Sequence, residues 1–297
     1  MLTQTINRLR KIKGNLGDLI DDTTRSVVQP FSHQNIVNQK EIRIVGLRRS
    51  GNHGIIIWIR RHYANRIWHL NNVSPFKNPY RQLAKNYPDK EKLQKEAQGI
   101  FSQKECLVYN YENYSLESIA NSKCEKKHDL YLGKSYQKYD LLILRDPYNM
   151  FASIYQGQQQ AEGDSNYILT YPNNQKSITR LWLDYAKEFL GETNYLKNDK
   201  ILLNYNLWVS DRNYRQSIST QLDLEFCDTG FNVVKDYGGG SSFDGTKFNQ
   251  QADKMDVLNR WQKFIDDEDY RKMFDNEIIE YSQKIFGRIE GTEALIA

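Results

Sequence analysis

The chain has 297 residues, and 41 Lys and Arg against 37 Asp and Glu leave a net charge of +4, too mild for a nucleic-acid coat or a membrane-surface protein. Its three Cys (Cys106, Cys124, Cys227) are far apart, with no CxxC and no His at metal spacing, which points to a reducing compartment or indifferent thiols and to no metal centre. No apolar run approaches the roughly 20 residues that span a bilayer, so the expectation is a soluble cytoplasmic protein with no membrane span and no nucleic-acid partner. Hydrophobic content is only 39%, but 20 Tyr and 12 Phe add buriable area for a sizeable core.

In chain order, residues 1–38 read as a helical appendage, with Leu2, Ile6, Leu9, Leu16 and Ile20 near a 3–4 spacing. Residues 39–297 are expected to form a single α/β domain. Strands are expected at Ile42–Gly46, Ile67–Leu70, Cys106–Tyr111, Leu141–Arg145 and Ile201–Tyr205. Leu141–Leu144 is uninterrupted, as in a strand covered on both faces. Helical patterns lie between them, at Gly54–Tyr63, Lys90–Ile100, Tyr148–Gln158, Lys176–Leu190 and Asp211–Leu222. This βα alternation predicts a central parallel sheet of about five strands flanked by helices. Residues 228–250, with Gly238-Gly239-Gly240-Ser241-Ser242, read as a mobile loop, and Val257–Ile285 as an amphipathic helical region. His62 and His128 are expected at the surface, Lys123–Lys127 in a solvated loop, and Trp58, Trp182 and Trp208 in the core.

In such sheets ligands sit beyond the carboxyl ends of the strands. The first strand runs into Gly46-Leu47-Arg48-Arg49-Ser50-Gly51-Asn52-His53 and then a helix, the architecture that holds a phosphate on backbone N–H groups. From Ile42 to Arg66 there are six Arg and no Asp or Glu, so the basicity is local and suits a small anion. The spacing is that of a P-loop, but Asn52 stands where its Lys would be and His53 where its Mg²⁺-holding hydroxyl would be. The fourth strand likewise ends on Arg145, where a magnesium-binding carboxylate would be expected. A P-loop kinase or NTPase is therefore the weaker alternative, beside a non-catalytic nucleotide-binding module. Arg145 at that strand end, with Ser153 two turns into the next helix, suits a second phosphate, and Pro147 is well placed near the helix start.

These residues resemble the sulfotransferases that use 3′-phosphoadenosine-5′-phosphosulfate (PAPS), over about residues 41–286. Arg49-Ser50-Gly51 matches their first motif, and Arg145-Asp146-Pro147 with Ser153 matches the second at the right spacing. Tyr205-Asn206-Leu207, followed by Ser210-Asp211, is a weaker third match. Gly238–Ser242 with Arg260-Trp261 fits a fourth loosely. The resemblance implies a P-loop-like sulfotransferase fold and an enzyme that moves a sulfuryl group from PAPS to a hydroxyl or amine. The product is 3′-phosphoadenosine-5′-phosphate (PAP), and no metal is required. It implies a nucleotide site built from Arg48, Arg49, Ser50, Gly51, Asn52, His53, Gly54, Arg145, Ser153, Tyr205, Gly239, Gly240, Ser241 and Ser242. Two departures stand out. The usual Thr-Thr-Trp is Asn52-His53-Gly54, which removes the aromatic wall against adenine. The late Arg-Lys-Gly is absent, leaving Lys235 or Lys247 to meet the 3′-phosphate.

For the general base, Glu112 follows the third strand where the cytosolic members place a His. His69, at the end of the second strand, and His53, within the loop, are the alternatives. Tyr80, Tyr87, Gln156, Gln158, Gln159, Gln160, Tyr167 and Tyr171 suit an acceptor that is a polar small molecule, sugar or natural product. The dimer motif of the cytosolic members is not evident.

Overall fold

The computed structural model describes residues 20, 22–25, 35–63, 67–160, 177–235 and 240–295. Gly238, Gly239, Tyr167, Tyr171 and most of residues 1–38 lie outside them. Five strands, β1 (Ile36–Gly46), β2 (Ile67–Leu70), β3 (Lys104–Glu112), β4 (Lys134–Leu144) and β5 (Asp199–Asn204), form one sheet in the order β2-β3-β1-β4-β5. All four pairings are parallel, and central Ile42 faces Val108 on one side and Tyr139 on the other. The α/β architecture with a central parallel sheet is the one expected. β1 begins inside the segment read as an appendage. Its first half carries buried polar side chains: Asn38 Nδ2 donates to Leu132 O at 3.1 Å and Lys40 Nζ to Leu222 O at 2.7 Å. A reading that looks for apolar runs misses such a strand.

Period two sorts the strand residues between two cores. Ile42, Ile44, Val108, Leu141 and Ile143 pack on one face, with Ile55 and Trp58 of α1 (Asn52–Arg60). Val45, Leu107, Leu142 and Leu144 pack on the other, with Phe151 of α7 (Pro147–Gln160) and Trp182 of α8 (Ile178–Phe189). Those helices follow from α2 (Pro79–Asn86), α3 (Glu91–Ala97), α4 (Leu116–Ala120), α5 (Lys123–Lys126), α6 (His128–Leu132), α7 (Pro147–Gln160) and α8 (Ile178–Phe189). The chain continues through α9 (Tyr205–Ser210), α10 (Arg212–Gln221), α11 (Glu268–Arg271) and α12 (Asn276–Phe286). The unexpected short helices have local causes. Asn78, Ser115 and Ser122 accept from the backbone of Arg81, Ser118 and Glu125, starting α2, α4 and α5. The expected helical region Val257–Ile285 is broken into a 3₁₀ turn (Arg260–Phe264), α11 and α12, because Asp267 and Asp275 each cap a new start. No helix among the described residues is long and apolar enough to cross a membrane.

The second core also contains charge. Arg43 forms a two-pronged pair with Asp140 at 2.8 Å and reaches Glu125. Asp22, fully buried, receives Arg81 at 2.8 Å, Lys123, Lys127 and the Tyr131 hydroxyl, so residues 22–25 dock on the domain. Lys123–Lys127 is thus not a free loop, and Cys124 within it is buried. His62 is half-buried, its Nδ1 2.9 Å from Trp58 O.

His128, expected at the surface, lies 2.8 Å from Glu41, which also holds Ser135 and the Tyr109 hydroxyl. Burial would lower the His128 pKa, but the Glu41 charge and bonds to Asp129 and Glu41 push it up to about 9. Burial would raise Glu41, and the His128 charge with bonds from His128 and Ser135 brings it down to about 2. A histidine raised in the fold stabilises fully below its ordinary 6.5 and loses that contribution as pH climbs through about 9. Glu41 stabilises above its ordinary 4.5 and loses its share as pH falls through about 2. The wild-type advantage over His128→Gln in urea midpoint is therefore expected to shrink between pH 6.5 and about 9. An advantage constant across that window overturns the pairing.

Candidate active site

Beyond the carboxyl ends of β1, β3 and β4 the structure opens a cleft of about 570 Å³. Its floor is the loop after β1. Ser50 N donates to Leu47 O at 3.1 Å to close the turn, and Gly51 enters α1 in the left-handed region (φ 88°). A Cβ on Gly51 would lie 2.0 Å from the Tyr205 ring, so close approach and backbone shape both require glycine here. Arg49 also has positive φ (68°), a conformation costly for a residue with a Cβ and one that clusters at functional sites. No acidic residue sits in the first turn of α1. The unsatisfied N–H groups of that turn, the helix dipole and two guanidiniums all favour an anion.

Arg145 leaves β4 and is nearly fully buried. Its guanidinium donates to Arg49 O at 3.0 Å, to Ser153 Oγ at 3.2 Å and to Val257 O, and stands 5.0 Å over the Tyr205 ring. Arg260 donates to the same Ser153 Oγ at 3.3 Å and to Ser241 Oγ at 2.7 Å. Local caps explain how Arg260 arrives. Asp146 Oδ1 accepts from Asn149 N at 2.8 Å to start α7; Asn149 in turn accepts from Arg260 N and donates to Leu258 O. The Arg260 pKa is lowered to about 10, first by burial and then by Arg145, while Tyr205 and Asp244 oppose the shift. Two buried guanidiniums crowd one hydroxyl, with the Asp244 carboxylate beside Arg260. The Nε atoms of Arg145 and Arg260 and the Ser242 hydroxyl are buried without a hydrogen-bond partner among the described residues. A second anion would answer each of these deficits.

The loop read as mobile is folded where it is described. Ser241 and Gly245 exchange backbone hydrogen bonds at 2.9 Å, and Ser241 Oγ accepts from the backbone of Phe243 and Asp244. Across the cleft, Glu112 Oε1 accepts from Asn52 Nδ2 at 3.2 Å, and His53 Nε2 is 4.0 Å away. Burial, then Arg49 and Arg48, lower the His53 pKa from 6.5, while Glu112 opposes them. Asn71, Asn72, Asn113 and Tyr114 complete this end. Asn72 and Asn113, just past β2 and β3, have φ of 46° and 60°.

Of the residues expected in the site, the cleft brings together Arg48, Arg49, Gly51, Asn52, His53, Gly54, Glu112, Arg145, Ser153, Tyr205, Gly240, Ser241 and Ser242. Ser50 is fully buried beneath the loop, its hydroxyl 3.2 Å from Met150 Sδ. His69 faces Asn110 at 3.2 Å, is lowered to about 4 chiefly by burial, and is not among the cleft-lining residues. Lys235 lines the cleft; Lys247 instead lies over Phe248. The cation beside Arg145 is Arg260, which stood in the Arg260-Trp261 match without being assigned a contact. Gly54, where the resemblance would put an aromatic residue, has an aromatic ring beside it in space. The Trp208 ring packs under Gly54, 3.7 Å from where a Cβ would be, and stacks on Tyr205. Trp208 is buried as expected, yet it also lines the cleft.

No family model matches the chain, and no curated protein matches it. Among solved structures, a sulfotransferase domain from the curacin biosynthetic pathway matches at 13% identity and a TM-score of 0.46, covering 84% of this chain and 98% of that one. Mouse sulfotransferase SULT7A1, complexed with PAP, matches at 10% identity and a TM-score of 0.42, covering 89% and 91%.

Proposed function

We propose that the protein transfers a sulfuryl group from PAPS to a hydroxyl or amine of a polar small-molecule, sugar or natural-product acceptor. The observation that carries this reading is the pair of adjoining anion grips in one cleft. One is a glycine loop at a helix N-terminus with Arg49; the other is Arg145 and Arg260 on Ser153, with buried donor atoms left over. A donor with phosphates at both ends of its ribose fits two grips better than a triphosphate, which would need the missing Lys and hydroxyl.

In this reading Arg49 and the N–H groups of Gly51, Asn52 and His53 hold the 5′ end. Arg145, Ser153, Arg260 and Ser242 hold the 3′-phosphate. Trp208 and Phe231, packed edge to face at 5.2 Å, wall the base. Bound PAPS would supply the sulfuryl group and a phosphate leaving group. Arg49 neutralises charge that grows on that phosphate, and Glu112 takes the acceptor proton. Asn71, Asn72 and Asn113 around Glu112 suit a hydroxyl-bearing acceptor.

PAP without magnesium is expected to stabilise the protein against heat, by about 2.7 kcal/mol at a hundred times its dissociation constant. Stabilisation by magnesium ATP alone would move the reading to a kinase. No stabilisation by either would leave a non-catalytic module on this fold.

A further inference from the structure

Asn52 and His53, the two departures in the loop, both turn toward Glu112. Asn52 Nδ2 bridges Leu47 O at 3.1 Å and Glu112 Oε1 at 3.2 Å. A Cβ on Gly46 would lie 2.2 Å from Asn52 Oδ1, so that glycine makes the room. The His53 ring nitrogen is 4.0 Å from the same carboxylate oxygen, and its side chain is 37% exposed while that of Glu112 is 14% exposed. The loop that faces the donor and the carboxylate that faces the acceptor are therefore joined by two adjacent side chains. The more open of the pair leads toward solvent.

We propose that His53, acting through Glu112, carries the acceptor's proton out of the cleft and returns Glu112 to its carboxylate form. The inference rests on the sulfotransferase reading. As the acceptor's lone pair bonds to sulfur and the sulfur–oxygen bond to the leaving phosphate breaks, the acceptor proton passes to Glu112. A second transfer takes it to His53, and the exposed ring releases it to water. A separation of 4.0 Å exceeds a hydrogen bond, and a bridging water or a small side-chain rotation closes it. Among the described residues, charged and titratable groups facing His53 include Arg48 and Arg49 of the loop, Glu112 at the end of β3, and His69 of β2. Burial and the two guanidiniums lower its pKa against the pull of Glu112 and favour the neutral ring, the form that can accept a proton. A bound anion offsets those guanidiniums, so proton uptake is favoured while the nucleotide is in place.

The test combines NMR titration with kinetics. The chain has five His, and His53→Gln identifies the His53 signal by its loss. The His53 midpoint is expected below 6.5, lower still in Glu112→Gln, and higher with PAP bound. His53→Gln keeps its backbone N–H, so PAP affinity is expected to hold within about twofold. Turnover falls by roughly 10–100-fold, less than for loss of the base itself, and added imidazole restores part of it. A midpoint indifferent to Glu112→Gln, PAP affinity that falls in step with turnover, or no response to imidazole would each overturn the relay alone. Failure of the wild-type protein to bind PAP would overturn the sulfotransferase reading and the relay with it.

Discussion

Glu112→Gln is expected to lower turnover with PAPS by about 10²–10⁴-fold, the usual contribution of a positioned base, with PAP affinity largely unchanged. The geometry makes the split sharp. Glu112 ends β3 at the Asn-rich end of the cleft and accepts from Asn52 Nδ2 of the glycine loop. Gln keeps the oxygen that accepts this bond and nearly the same volume, so the loop remains in place. What is lost is the negative charge and with it the ability to take a proton. The check is steady-state kinetics beside PAP titration of the same preparations. Retained turnover would remove Glu112 from the chemistry and move the base to His53, the remaining titratable candidate in the cleft.

Arg49→Asn is expected to lower turnover by about 10²–10³-fold, the cost typical of deleting one electrostatic donor to a developing anion. PAP binding is expected to weaken by about 1.5–3 kcal/mol, the worth of a hydrogen bond to a charged group, which is roughly 10–150-fold. Asn is chosen because residue 49 has φ 68°, a region that Asn tolerates better than Ala. The Arg49 carbonyl that Arg145 holds at 3.0 Å also survives the substitution. A loss of turnover much larger than the loss of PAP affinity is the sign of an interaction made in the transition state. Equal losses would make Arg49 a binding residue only, and no loss would sink the assignment of this loop to the phosphosulfate.

The sheet was legible in the sequence because its inner strands are buried on both faces. Burial there demands unbroken apolar runs such as Leu141–Leu144, and β2 matches its expected bounds, Ile67–Leu70. The glycine loop was legible because its parts are neighbours in sequence: strand, tight turn and helix start. The Arg145 and Ser153 pair was legible for the same reason, since one helix carries Ser153 back to a residue eight positions earlier. What escaped had polar residues doing buried work. Asn38, Lys40 and Glu41 lie in a strand, and His128 lies against Glu41, 87 residues away. The break-up of Val257–Ile285 escaped because apolar spacing registers a face without registering where Asp267 and Asp275 restart the backbone.

By itself, then, the sequence determined the α/β class, the glycine loop, and the placing of Arg49, Arg145 and Ser153 at strand ends and a helix start, all set by local spacing and by the strand and helix periods. The tertiary structure decided which distant residues close the cleft. Arg260 meets Ser153 across 107 positions, Glu112 meets Asn52 across 60, and Trp208 fills the space that Gly54 leaves. Such pairings have no period, because they depend on where β3, α9 and the 3₁₀ turn come to rest around the sheet. The loop's departure from the motif it resembles, Asn52-His53-Gly54, makes sense only there. Asn52 and His53 turn to a carboxylate from another strand, and Gly54 yields to an indole from another helix.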